Sequence, residues 1–354
     1  MPIRTLDISH LDTSGAQFGA NLTYVASNAR FEWVSGTYTP TPVAPSGPYA
    51  YGSTSSYTAG GYSNPADNPL SLGSVHNYIF KFSFASIGAA TEVGQLAVDN
   101  RQLSTGASSA THGYAMKGNG PPAIFTPIAA TWNDKFSFSS DSNATQAGDN
   151  TTPAWWSAST ESPTSAYTMG GNITPSTYTD SIEKHLFSSD TTGVDAAELI
   201  SAIARNSGAA SASTGYNFGG HDASNKDKIQ IWPFSSDSPA TDVGEMVTGA
   251  SFGFAQNSDT HAYHSGGYIG PANSDTIGSI PFSSNTPATD VGEISAGRYR
   301  GVTGTSSTTH GYVVGGRLPT QDTIDRFPFS SNTPATDVGE LGIPGITDAA
   351  GAQT

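Results

Sequence analysis

Apolar residues in this chain come in short alternating runs, and the runs repeat. Asp322 to Phe329 reads DTIDRFPF, with Phe327 and Phe329 two residues apart and so on one face of a strand. Ala335 to Leu341 reads ATDVGEL, which sets Thr336, Val338 and Glu340 on one face and Asp337, Gly339 and Leu341 on the other. His310 to Val314 is a third run, ending at Gly315-Gly316, and Arg300 to Ser306 is a fourth, short and built of small residues. Four strands separated by turn residues are predicted for this stretch.

The same order recurs upstream. WPFSSDSPATDVGEM, IPFSSNTPATDVGEI and FPFSSNTPATDVGEL begin at Trp232, Ile280 and Phe327. Older copies are headed by Phe187, Phe138 and Phe84, so six phenylalanines head the segment: Phe84, Phe138, Phe187, Phe234, Phe282 and Phe329. Each is preceded by a tyrosine four residues ahead of a glycine: Tyr57, Tyr114, Tyr167, Tyr216, Tyr263 and Tyr312. Four strands per unit of about 50 residues match a propeller blade. The prediction is all-β, a six-bladed β-propeller over 49–354, with blades at 49–98, 99–151, 152–202, 203–248, 249–296 and 297–343. The ring closes either through Pro48 to Gly52 or through the tail from Gly342 to Gln353, and closure by the tail (344–354) is preferred because it removes an exposed edge.

Spacing also locates the variation. From each heading Phe to the next closing Gly is 33 or 34 residues, whereas from closing Gly to Phe the distance ranges from 13 to 23. Length therefore varies between the second and third strands, on the face shared with the connections between blades. Variable loops on a rigid scaffold are where recognition concentrates. The longest are Tyr62 to His76 and Asn119 to Asn133, giving Tyr62, Asn64, Asn68, Asn119 and Trp132 as binding candidates. Trp155 joins them: beside Trp156 in a strand the two rings face opposite ways, one filling a blade interface and the other free to stack on a sugar.

Composition narrows the chemistry. Gly (40) and Pro (22) with only 12% charged residues suit tight turns between short strands. There is no cysteine, which excludes disulfides, thiol catalysis and Cys-type metal centres. A net charge of −15 opposes nucleic-acid binding. No apolar run is long enough for a membrane helix, and no signal peptide is read. His112, His261 and His310 each follow a Thr at one blade position, which points to a turn-stabilising role and not to a metal site. The Asp of the TDVG segment is expected to bond turn N–H groups. Pro233, Pro281 and Pro328, lacking an N–H, are expected on an edge strand near the outer rim. Acidic residues recur identically per blade, which argues against one special carboxylate pair; no catalytic residue, cofactor or metal is expected.

The Tyr-x-x-Gly-Gly pattern resembles the kelch repeat, without its usual tryptophan after the third strand. With the PFSS and ATDVGEL segments it resembles kelch-like repeats of phage structural proteins, especially of marine and cyanobacterial phages, over about residues 46 to 343. Leu11 to Val34 resembles a short module of phage tail fibres, carried by Thr13, Ser14, Gly15, Gly19, Leu22, Tyr24, Phe31 and Trp33. It reads as a small β module (1–34) with strands Asn21–Val25 and Arg30–Val34, followed by a Pro-rich linker (35–48). Leu22, Tyr24, Phe31 and Trp33 are its anchoring candidates. The resemblance implies a virion protein assembled in the host cytoplasm, a tail fibre or appendage component touching other virion proteins or a host surface glycan or receptor, and by analogy a homotrimer. A capsid decoration protein and a secreted carbohydrate-binding lectin are the alternatives.

Overall fold

The computed structural model describes residues 20–25, 30–35, 52–63, 74–98, 104–120, 128–236, 238–284, 286–301, 304–317, 321–341 and 346–354. The chain divides into two units, Met1–Gly47 and Pro48–Thr354. In the first unit Ala20–Val25 pairs antiparallel with Arg30–Ser35. The register sets Leu22 opposite Trp33 and Tyr24 opposite Phe31, so these four positions share one face of the hairpin.

The second unit is a six-bladed β-propeller. Among the described residues there are six four-stranded antiparallel sheets and no helix. In blades two to six the strands follow chain order: in blade three, for example, Ala158–Ser162, Ser165–Met169, Ser181–Leu186 and Val194–Glu198. The first strands touch one another from blade to blade and form the wall of a central channel. Blade one is different. Its second to fourth strands are Ser55–Ala59, Tyr78–Ser83 and Thr91–Gln95, but its first is Ala350–Gln353 from the far end of the chain. Ser56 lies opposite Gln353 and Ala59 opposite Ala350. Gly52 instead makes a parallel bridge to Ser307 of blade six.

The repeated landmarks meet between blades. Each heading phenylalanine packs on the tyrosine of the preceding blade: Phe138 on Tyr57, Phe187 on Tyr114, Phe234 on Tyr167, Phe282 on Tyr216 and Phe329 on Tyr263, with ring centroids 4.8–5.1 Å apart. Phe84 of blade one stacks at 4.8 Å on Tyr312 of blade six and completes the circle. A second circle runs round the outer rim. The N–H ahead of each fourth strand donates to the carbonyl that ends the previous one, from Ala144 to Gln95 through to Ala335 to Glu293, with Ala90 to Glu340 closing it at 3.0 Å.

The glycine doublets end the second strands with left-handed backbone, φ 52–74° at the first position and 105–125° at the second. Gly supplies that conformation at no steric cost. In blade two Lys117 takes the first position at φ 53°, and its buried ammonium lies 3.5 Å from Glu183 of blade three.

Two expectations change. The prolines do not lie on an edge strand: Pro233, Pro281 and Pro328 end third strands, each flanked by two others. Phe234 donates its N–H to Ser213, so by alternation the Pro233 nitrogen faces the fourth strand, which begins at Thr241 opposite the earlier Ile231. No ladder partner is lost there. The TDVG aspartates act in a strand, not a turn. Asp242, Asp290 and Asp337 accept the N–H of the glycine two residues on at 3.1–3.2 Å, where the fourth-strand register slips by one residue.

Candidate functional site

The connection entering each blade passes the channel mouth on the face that carries the variable loops. In the connections entering blades three, four, five, six and one, one non-glycine residue each adopts a left-handed backbone: Trp156, Arg205, Phe252, Arg300 and Asp348, at φ 54–62°. Such a conformation costs on the order of 1 kcal/mol per residue. A chain of backbone bonds holds it. Arg205 donates to Trp156 O (2.8 Å), Phe252 to Arg205 O (2.6 Å), Arg300 to Phe252 O (3.2 Å) and Asp348 to Arg300 O (3.1 Å).

The side chains converge. The Trp156 and Phe252 rings meet edge-on, with centroids 5.1 Å apart. The Arg205 guanidinium lies 4.7 Å from the Trp156 ring centre and 5.1 Å from that of Phe252. Arg300 lies 5.2 and 5.4 Å from the same two rings. Arg300 is also clamped by the Asp348 carboxylate, 3.0 Å from Nε and 2.8 Å from Nη2. Arg205 has no carboxylate partner among the described residues. Burial, with the Arg300 charge beside it and Tyr178 opposing, holds its guanidinium below the ordinary value.

Beneath this cluster lies a cavity of about 60 Å³, lined also by Ser104, Ser157 and Asn206. Four buried polar atoms on its lining residues have no hydrogen-bond partner within the protein: Trp156 Nε1, Arg205 Nε, Ser104 Oγ and Asn206 Oδ1. Aromatic side chains lead outward from the mouth. Phe252 touches Tyr299 at 5.8 Å, Tyr299 touches Tyr268 at 5.4 Å, and Tyr178 meets His221 at 6.5 Å.

Deeper in the channel the wall is of small residues, and the side chains clasp neighbouring blades. Asn257 N–H donates to Ser306 Oγ at 3.0 Å and Gln353 N–H to Ser108 Oγ at 2.9 Å. Glu161 occupies the corresponding place in blade three and is the one acidic residue among the described residues lining this stretch. Burial pushes its carboxyl up to about 8.

The sequence-chosen residues fall differently. Trp155, a binding candidate, is 2% exposed and packed in the blade, and the half-buried Trp156 lines the mouth. Trp132 does not lie in the loop but opens the third strand of blade two, opposite Asp149. Asn119 is buried and pairs with Ala129. Tyr62 pairs with Thr347, next to Asp348, and its phenol lies within electrostatic reach of Arg300. Asn64 and Asn68 lie outside the described residues. The repeated histidines are held in their turns, with Thr111, Thr260 and Thr309 hydroxyls 2.8 Å from Nδ1 of His112, His261 and His310.

Sequence reasoning missed the arginines and Phe252. The available signal was position: Trp156, Arg205 and Phe252 each stand two residues before a first strand, at Ala158, Ser207 and Phe254. No protein-family model and no curated protein matches the chain.

Proposed function

We propose that this chain is a non-enzymatic structural protein of a bacteriophage virion, a tail fibre or tail appendage component, with kelch-like blades. Its ring presents the loop face to a host surface or to other virion proteins, while the N-terminal module (1–34) anchors it, as part of a homotrimer assembled in the host cytoplasm. One observation carries this reading. Three closed circles of contact lock the ring, while all length variation between repeats falls on one face. The kelch-like and tail-fibre-like sequence patterns supply the virion context.

Immunogold labelling of intact particles tests it. Gold on the tail or its fibres is expected; gold distributed over the head supports a capsid decoration protein instead, and unlabelled particles remove the virion reading altogether. The arginine–aromatic mouth favours one second reading, a carbohydrate-binding lectin. A lectin would bind glycans as an isolated ring and be found outside particles.

A further inference from the structure

The mouth holds what an anion needs and the protein does not use. Two N–H donors, Trp156 Nε1 and Arg205 Nε, are buried without acceptors beside one cavity. Leaving a buried donor unmade costs about 1–3 kcal/mol, more for a charged one. The Ser104 hydroxyl, on a side chain more than nine-tenths buried, adds a third unused donor. Of the two guanidiniums at the mouth, Arg300 is paired with Asp348 and Arg205 is paired with no carboxylate among the described residues, so the mouth keeps a positive charge in a chain whose net charge is −15. The cavity of about 60 Å³ has room for about four waters. A carboxylate group fits that space, and the rest of the ligand then extends toward Tyr299, Tyr268 and Tyr178. Aromatic side chains flanking a seated carboxylate describe a sugar acid.

We infer that the loop-face mouth of the channel binds an acidic saccharide, its carboxylate received by Arg205 and Trp156 and its ring lying on the tyrosines outside. This rests on the loop face being the recognition face, and it names the ligand class for that face. Asp348 excludes a second anion from Arg300 and so sets Arg205 as the receiving cation.

The test is calorimetric titration of the full chain with oligogalacturonate, oligoglucuronate and N-acetylneuraminate, with oligogalacturonate methyl ester and inorganic phosphate as controls. At least one sugar acid is expected to bind and to shift tryptophan fluorescence, and the neutral ester is not. Arg205→Gln is expected to weaken binding about tenfold or more, and Trp156→Phe several-fold. Lys228→Gln, at an exposed ion pair outside the cavity lining, should change nothing. Circular dichroism melts confirm that each variant is folded; if Arg205→Gln does not fold, Trp156→Phe and the ester carry the test. Silence from all three sugar acids, equal binding of acid and ester, full affinity in both mouth variants, or phosphate binding as tightly as the sugars would each overturn the inference. Particles without gold refute the virion role but leave these titrations unaffected, so the two failures are separable.

Discussion

His185 and His264 are buried histidines kept neutral by their surroundings. His185 Nε2 lies 2.8 Å from Asn150 Oδ1 and Nδ1 lies 3.3 Å from Asn133 Nδ2, a pattern that one neutral tautomer satisfies and a doubly protonated ring does not. Burial lowers both pKa values from 6.5 to about 4. Between those values the unfolded chain binds more protons, so stability rises with pH across the window and is lost as pH falls from 6.5 toward 4. Each ring contributes on the order of 3 kcal/mol. Urea midpoints should fall markedly from pH 7 to pH 4.5, and His264→Gln should flatten that slope. Glu183 works in the same direction at lower pH. Burial raises its pKa, but Lys117 and the N–H groups of Thr151 and Thr152 outweigh that and hold it below 4.5. Its contribution is present above pH 4.5 and vanishes as the carboxyl protonates below it. Asp325 is the counterpart in blade six, accepting Ser295 N–H at 2.8 Å and pairing with the buried Arg298 at 3.0 Å. Asp325→Asn leaves that guanidinium buried and uncompensated; a loss of about 3–5 kcal/mol is expected in denaturant titration.

Within a blade, the second and third strands match small residues against large ones. Gly113, Gly215 and Gly311 lie opposite Phe136, Trp232 and Phe327, whereas Ala262 lies opposite the slimmer Ile280. A Cβ added at Gly215 would come within 2.3 Å of the Trp232 ring. Gly215→Ala should therefore cost about 1–3 kcal/mol, and Trp232→Ile in the same chain should recover much of it by copying the blade-five pair. A simple sum of the two single losses, read from unfolding midpoints, would refute the match. The blades themselves were legible because Tyr, a closing Gly and Phe recur six times in fixed order. That Phe234 stacks on Tyr167 of the preceding blade was not, since spacing within a repeat does not say which repeats touch. The proline misreading has a similar cause: which side a nitrogen faces is set by alternation from Phe234, a property of the sheet and not of Pro233.

Across the whole ring, the cluster at the channel mouth was the least legible part. Trp156, Arg205, Phe252, Arg300 and Asp348 share no chemistry, and what unites them is a backbone angle that only glycine would have announced. The ring also brings Arg205 and Arg300 together from connections far apart in sequence. The final strand is as consequential. Deleting residues 346–354 removes the first strand of blade one and the Asp348 clamp on Arg300. Loss of a cooperative thermal transition is expected, with recovery when a peptide of those residues is added in trans; a truncated chain that melts like the parent would contradict closure by the tail.

Thr54 and Thr354 are joined by a hydrogen bond across 300 residues of chain. A growing polypeptide therefore makes five blades while the edge of Ser55–Ala59 still waits for its neighbour, and that waiting edge is a template for strands of other chains. Crowded synthesis should favour exchange of the last strand between copies, giving linked rings whose number falls as expression slows.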